Sequence, residues 1–61
     1  MNEIFTIKSS NLWTSLSTLL MRGVLTEDQQ LDAERFTLRC EKNNWTYETL
    51  GDGESIRVLG Y

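Results

Sequence analysis

Carboxylates are the side chains of this sequence that could most readily do chemistry. Two groups of acids lie close together in the chain, Glu27 with Asp28 and Asp32 with Glu34. Paired carboxylates act as general acid and base when a cleft desolvates one of them. The segment around these acids is polar, so we expect it to be exposed to solvent rather than enclosed in a cleft. A chain of 61 residues also has little volume for a cleft once its own core is filled. We therefore do not expect an enzyme.

The residues for most other catalytic and metal-binding chemistries are missing. The sequence has no His, the side chain that most often transfers protons near neutral pH. Its single cysteine, Cys40, excludes an internal disulfide and a Cys₂His₂ or Cys₄ zinc site within one chain. The segment Gly51-Asp52-Gly53 lacks the Lys-Ser/Thr of a phosphate-binding loop and the spaced acids of a calcium loop. We expect no cofactor, no metal ion, and a buried, inert Cys40 thiol.

Composition predicts one small soluble domain over residues 1–61. The chain is 39% hydrophobic and 25% charged, with a formal net charge of −3. Its start lacks the basic region and the apolar run of a signal peptide, and no segment is apolar for the length of a membrane helix. We expect a cytoplasmic protein with no membrane partner, and a glycosylation-like Asn44-Trp45-Thr46 that arises by chance.

The elements that must position these residues begin with a strand and a helix. Residues 3–8 are rich in β-branched and aromatic side chains, which is typical of a strand. Residues 9–11 supply helix N-cap candidates, and from Leu12 the apolar side chains follow helical spacing until Gly23, a stop signal. We predict a main helix over residues 11–22.

The segment of residues 24–34 has a weaker helical pattern. Thr26 and Gln29 have the spacing of a capping box, but only Leu31 and Ala33 offer apolar contacts. We predict one or two helical turns that lead into the sheet.

The last part of the chain is predicted to form three strands joined by two hairpins. Residues 36–41 alternate between apolar and polar, and the turns are placed at Asn43-Asn44 and Asp52-Gly53. Both turns give the same register, in which the facing pairs are Cys40 with Tyr47, Tyr47 with Val58, Thr49 with Ile56, and Glu48 with both Arg39 and Arg57. One sheet face then collects Phe36, Leu38, Cys40, Trp45, Tyr47, Ile56 and Val58.

The predicted architecture is an α+β domain of order β–α–(short α)–β–β–β. Its main helix packs on one face of a small, mainly antiparallel sheet. The pattern leaves open whether the first strand pairs with the second or with the last.

The aromatic residues suggest either a core or a platform on which nucleic-acid bases stack. We favour the core, because these aromatics lie on the face that the helix must cover. The chain is also acidic, whereas a nucleic-acid binder concentrates cations against phosphates.

Surface features then indicate where a partner could bind. Four acids could steer the protein toward a basic surface of a partner protein: Glu27, Asp28, Asp32 and Glu34. The polar side of the main helix is made of small, mostly uncharged residues, of which Thr14, Thr18 and Met21 form a secondary contact surface. An apolar strip on the outer sheet face, formed by Leu50, Leu59 and Tyr61, is a candidate homodimer surface.

These features favour a non-enzymatic protein–protein interaction module that binds one partner protein. Small acidic inhibitors and adaptors of phages and mobile elements have this size and composition. The alternative is a small dimeric nucleic-acid-binding regulator that contacts phosphates through Lys8, Arg22, Arg35 and Lys42. A third alternative is a structural subunit whose partner is its own copy.

Overall fold

The computed structural model describes residues 2–60, which form two helices and three strands. In chain order these are β1 (Asn2–Lys8), α1 (Ser10–Leu20), α2 (Glu27–Lys42), β2 (Thr46–Thr49) and β3 (Ser55–Gly60). The predicted α+β class is confirmed, with two helices against an antiparallel sheet. The C-terminal part contains two strands rather than the three expected.

The strand order of the sheet is β1-β3-β2, and both pairings are antiparallel. The first strand therefore pairs with the last, which settles the alternative that the sequence left open. The predicted register between β2 and β3 is confirmed, because Tyr47 faces Val58 and Thr49 faces Ile56. The loop between them contains Gly53 with φ +79°, and the Leu50 amide closes it by donating to the Ser55 carbonyl at 2.9 Å.

The core lies between one face of the sheet and the two helices. Ile56 and Val58 of the central strand are fully buried, as is Leu16 of α1. Because alternate residues of a strand point to the same side, Ile56 and Val58 share the face that the helices cover. From α2 the buried members of this core are Ala33, Phe36 and Cys40.

The predicted strand over residues 36–41 is wrong, because this segment is the second half of α2. Phe36 and Cys40 are separated by one helical turn, so they lie on the same side of a helix and both face the core. Leu38, expected on the apolar sheet face, is 56% exposed on the opposite side of the helix. The Thr26–Gln29 capping box does form, and no Gly or Pro follows it before residue 43 to stop the helix.

The Asn43-Asn44 pair ends α2 instead of turning a hairpin. Asn44 has φ 58°, so it adopts the positive φ that was predicted for it, but at the end of a helix and not in a hairpin turn. The Trp45 amide donates to the Cys40 carbonyl at 2.8 Å and the Asn44 amide donates to the Glu41 carbonyl at 3.2 Å. This pair of bonds is a Schellman motif, which satisfies carbonyls at the helix end.

The end of α1 uses the same motif with Arg22 in the left-handed position. The Gly23 amide donates to the Thr18 carbonyl at 2.8 Å, and Arg22 has φ 58°. Gly23 is the next residue, where a Cβ atom would lie 2.8 Å from the Thr18 Cγ2 atom. The helix therefore ends at Leu20, and Arg22 lies beyond its last turn rather than within it.

A charge ladder crosses the outer face of the sheet, with Arg57 at its centre. The Arg57 Nε atom lies 3.0 Å from Glu48 and 3.7 Å from Glu3 on the other neighbouring strand. The predicted pair of Glu48 with Arg57 is confirmed. The predicted contact of Glu48 with Arg39 is wrong, because Arg39 belongs to α2.

Candidate partner-binding groove

A groove runs between α1 and α2, on the helical side of the protein. One depression in this groove has a volume of about 480 Å³. The helix α1 lines it with Asn11, Thr14 and Ser15, and α2 lines it with Asp28, Gln29, Leu31 and Asp32. Asp28 and Asp32 are four residues apart, which places both carboxylates on one side of α2. The structure thus brings the acids and a hydroxyl residue of the two predicted surfaces into one site.

The hydroxyl groups of α1 already donate their protons within the helix. Thr14 Oγ1 donates to the Ser10 carbonyl at 2.9 Å, and Ser15 Oγ donates to the Asn11 carbonyl at 3.0 Å. A hydroxyl that has donated its proton retains lone pairs that can accept. Thr14 is exposed, so its oxygen is accessible from the groove, whereas Ser15 is 1% exposed and closes the bottom. The Thr14 hydroxyl and the carboxylates of Asp28 and Asp32 therefore present hydrogen-bond acceptors to an incoming group.

A second depression continues the groove toward the start of α1 and the middle of α2. It has a volume of about 440 Å³ and shares Asn11 and Asp32 with the first. Arg35 and Arg39 line this part. The groove therefore changes from acidic at the beginning of α2 to basic near its middle, with Asp32 between the two regions.

The four predicted acids separate into two pairs. Asp28 and Asp32 line the groove, whereas Glu27 and Glu34 do not belong to its lining. Glu34 instead borders a smaller depression between the helices, beside Leu19. All four are exposed, and the helical period of α2 accounts for their separation.

The other predicted partner residues of α1 lie away from the groove. Thr18 Oγ1 donates to the Thr14 carbonyl at 2.8 Å, and the Thr18 backbone carbonyl caps the helix end. Met21 is 82% exposed at the end of α1. Thr18 and Met21 thus belong to the end of the helix, and Thr14 is the predicted residue of α1 that lines the groove.

Sequence reasoning missed the basic residues Arg35 and Arg39 as parts of this site. Together with Asp28 and Asp32 they follow a spacing of four, three and four residues, which is the period of one helix side. That signal was present in the sequence, but assigning residues 36–41 to a strand placed Arg39 on the sheet.

The residues of the predicted dimer surface do not form one strip. Leu59 faces Thr46 at one end of the hairpin, whereas Leu50 follows β2 at the other end. The Leu50 carbonyl accepts the Trp13 Nε1 proton at 2.8 Å, which ties α1 to the β2–β3 loop. The ion pair of Arg57 lies between the two leucines, and Tyr61 falls outside the described residues.

The cations of the predicted phosphate contact are also dispersed. Lys8 ends β1, and Arg22 follows the far end of α1. An 11-residue helix is about 16 Å long at 1.5 Å per residue. Arg35 and Lys42 lie on α2, so the four cations come from β1, from α2 and from the segment after α1.

Cys40 is buried, as predicted, but it packs from α2 rather than from the sheet. Burial raises the pKa of its thiol, with the charge of Arg39 as a weaker opposing influence. Burial also raises the pKa of the neighbouring Tyr47 phenol. The aromatic rings form edge-to-face pairs, Phe36 with Tyr47 at 5.3 Å and Phe5 with Trp45 at 5.4 Å, so they pack as a core.

No known protein-family model matches this chain, and neither curated proteins nor solved structures show significant similarity to it. Within residues 2–60, neither helix has the length and apolar character needed to cross a bilayer. Across the same residues, no three side chains of Cys, Asp or Glu are close enough together to hold a metal ion.

Proposed function

We propose that this protein is a non-enzymatic interaction module that binds a basic segment of a partner protein in the groove between α1 and α2. The observation that carries the proposal is the acceptor-rich wall formed by Thr14, Asp28 and Asp32. A guanidinium group has five N–H donors and no acceptor, so arginine is the side chain that fits such a wall best. The protein would act as an inhibitor or an adaptor of that partner.

The basic end of the groove would bind a second, acidic residue of the partner segment. Arg35 and Arg39 lie beyond Asp32, so a segment that carries an arginine and an acidic residue finds a complementary charge at each end of the groove. Electrostatic complementarity of this kind governs orientation and association rate more than affinity. Leu31 at the border of the groove offers apolar contact to the stem of a long side chain.

Matched pairs of neutral substitutions test whether the groove binds the partner. Asp28→Asn with Asp32→Asn removes two charges inside the groove, and Glu27→Gln with Glu34→Gln removes two from the same helix outside it. We expect the groove variant to bind the partner protein at least about tenfold more weakly. In a nuclease-treated cell lysate, it should no longer capture the partner that the unmodified chain captures. The control variant keeps the same net charge as the groove variant and should retain capture.

Three outcomes would overturn the proposal. Equal loss in both variants means that overall charge steers a partner that binds elsewhere. Capture that disappears after nuclease treatment indicates a nucleic-acid binder. Recovery of the protein with no partner at all contradicts an interaction module that acts on another protein.

A further inference from the structure

The outer face of α2 carries two exposed leucines that lie outside the hydrophobic core of residues 2–60. Leu31 is 47% exposed and Leu38 is 56% exposed. They are seven residues apart, so they lie two turns apart on nearly the same line along the helix. The core residues Ala33, Phe36 and Cys40 face the opposite side.

Charged residues of opposite sign border these leucines. On one side are Glu27, Glu34 and Glu41, each separated by seven residues from the next. On the other side, Arg35 and Lys42 are also separated by seven residues, with Asp28 one heptad earlier. All six side chains are exposed.

The charged residues that border the leucines form no ion pair within residues 2–60. Both ion pairs found there involve Arg57 on the sheet. Glu34 and Arg35 are adjacent in sequence, as are Glu41 and Lys42. Adjacent residues of a helix do not face each other, so each charge remains available to a second molecule.

We propose that two copies of this chain associate through this face, with their α2 helices parallel about a twofold axis. In a parallel pair Glu34 faces Arg35 and Glu41 faces Lys42 of the second copy, whereas Glu27 faces Asp28, a like-charge contact at the start of the helices. In an antiparallel pair Lys42 would face Asp28, but glutamates would face glutamates on the other side and Arg35 would face its own copy. Opposite charges therefore meet at more positions in the parallel pair. Leu31 and Leu38 then each meet their equivalent across the axis.

This dimer is independent of the proposed groove function, although Leu31 and Arg35 also border the groove. The contact covers one helix face, so it belongs at the small end of specific interfaces. Exposed ion pairs add little affinity, so the charges select the orientation and the leucines supply the attraction.

Cysteine cross-linking tests both the surface and the orientation. In the parallel dimer residue 38 meets its own copy, so Leu38→Cys should form a disulfide-linked dimer under mild oxidation. Val24→Cys is the control for random collision, because Val24 is 95% exposed and lies away from this face. We expect Leu38→Cys to cross-link at least about tenfold faster than Val24→Cys.

Sedimentation velocity provides the second measurement, with the unmodified chain and with Leu38→Glu. We expect the unmodified chain to show a concentration-dependent increase toward twice 7.1 kDa, and Leu38→Glu to remain monomeric. A mixture of Leu31→Cys and Leu38→Cys that cross-links faster than either alone would establish the antiparallel arrangement and overturn the proposal. A chain that stays monomeric at concentrations up to about 1 mM would also overturn it. Neither outcome decides the groove proposal, because that proposal is tested by partner binding to the Asp28→Asn, Asp32→Asn variant.

Discussion

The leucines of α1 allow a direct test of where the core ends. Leu16 and Leu20 are one turn apart on the same apolar side of the helix, and the sequence alone treats them as equals. In the structure Leu16 is 0% exposed, whereas Leu20 is 59% exposed because it lies near the end of the helix. Replacing each by alanine removes the same atoms from two different environments.

Burial gives the magnitude of the two effects. Losing a fully buried leucine forfeits about 2 kcal/mol of transfer free energy and leaves a cavity, for a total of about 3–4 kcal/mol. A leucine that is mostly exposed leaves no cavity, so Leu20→Ala should cost about 1 kcal/mol or less. A chain of this length has a free energy of unfolding of about 3–9 kcal/mol, so Leu16→Ala should remove at least about a third of it.

Urea unfolding measures both losses, with Trp13 and Trp45 as fluorescent probes. All variants should be compared at one low protein concentration, because self-association would make the measured stability depend on concentration. Similar losses for the two variants would refute this account of the core. A larger loss for Leu20→Ala would mean that α1 buries a different side.

Three further predictions concern the ends and loops of the elements. Arg22→Gly should raise the free energy of unfolding by about 0.5–1 kcal/mol, because the left-handed conformation costs arginine more than glycine; an unchanged urea midpoint would contradict the cap. Trp13→Phe should lower stability by about 1 kcal/mol through loss of the hydrogen bond to the Leu50 carbonyl, and wild-type stability in that variant would argue against this bond. Asp52 accepts from the Ser55 hydroxyl and from two backbone amides, which lowers its carboxyl pKa to about 2. Because the folded pKa of Asp52 lies below its unfolded value, the ionised carboxylate stabilises the fold fully above about pH 4, and this stabilisation is lost as the pH falls toward 2. Asp52→Asn should therefore make the free energy of unfolding less dependent on pH over this range. An unaltered acid transition in that variant would exclude the effect.

Much of the fold was accessible from sequence because several local signals agreed. The Asp52-Gly53 turn and the alternation of Tyr47 and Thr49 fixed the β2–β3 register without reference to the rest of the chain. The helix α1 was predicted to within two residues at its C-terminal end, where Arg22 rather than Gly23 adopts the left-handed conformation.

The second half of α2 was not accessible in the same way. Apolar residues at positions 36, 38 and 40 fit a strand by alternation, and positions 33, 36 and 40 fit a helix by period. Local pattern does not distinguish these two choices. Contacts with Leu16, Ile56 and Val58 bury one side of the helix and leave Leu38 exposed.

The candidate site depended on that same choice. The sequence indicated Thr14, Asp28 and Asp32 as members of two separate surfaces, and the pairing of α1 with α2 brings them together. Once residues 36–41 were assigned to a strand, Arg35 and Arg39 could not be grouped with these acids. The groove is therefore a tertiary feature that local patterns do not reveal.

An isotope-edited NMR titration with a short arginine-containing peptide tests the central claim most directly. The account predicts saturable shifts at the amides of Asn11, Thr14, Asp28 and Asp32. These shifts should disappear in the Asp28→Asn, Asp32→Asn variant and persist in the Glu27→Gln, Glu34→Gln variant. Shifts spread evenly over all exposed acids, or equal weakening in both variants, would contradict a partner site in the groove between α1 and α2.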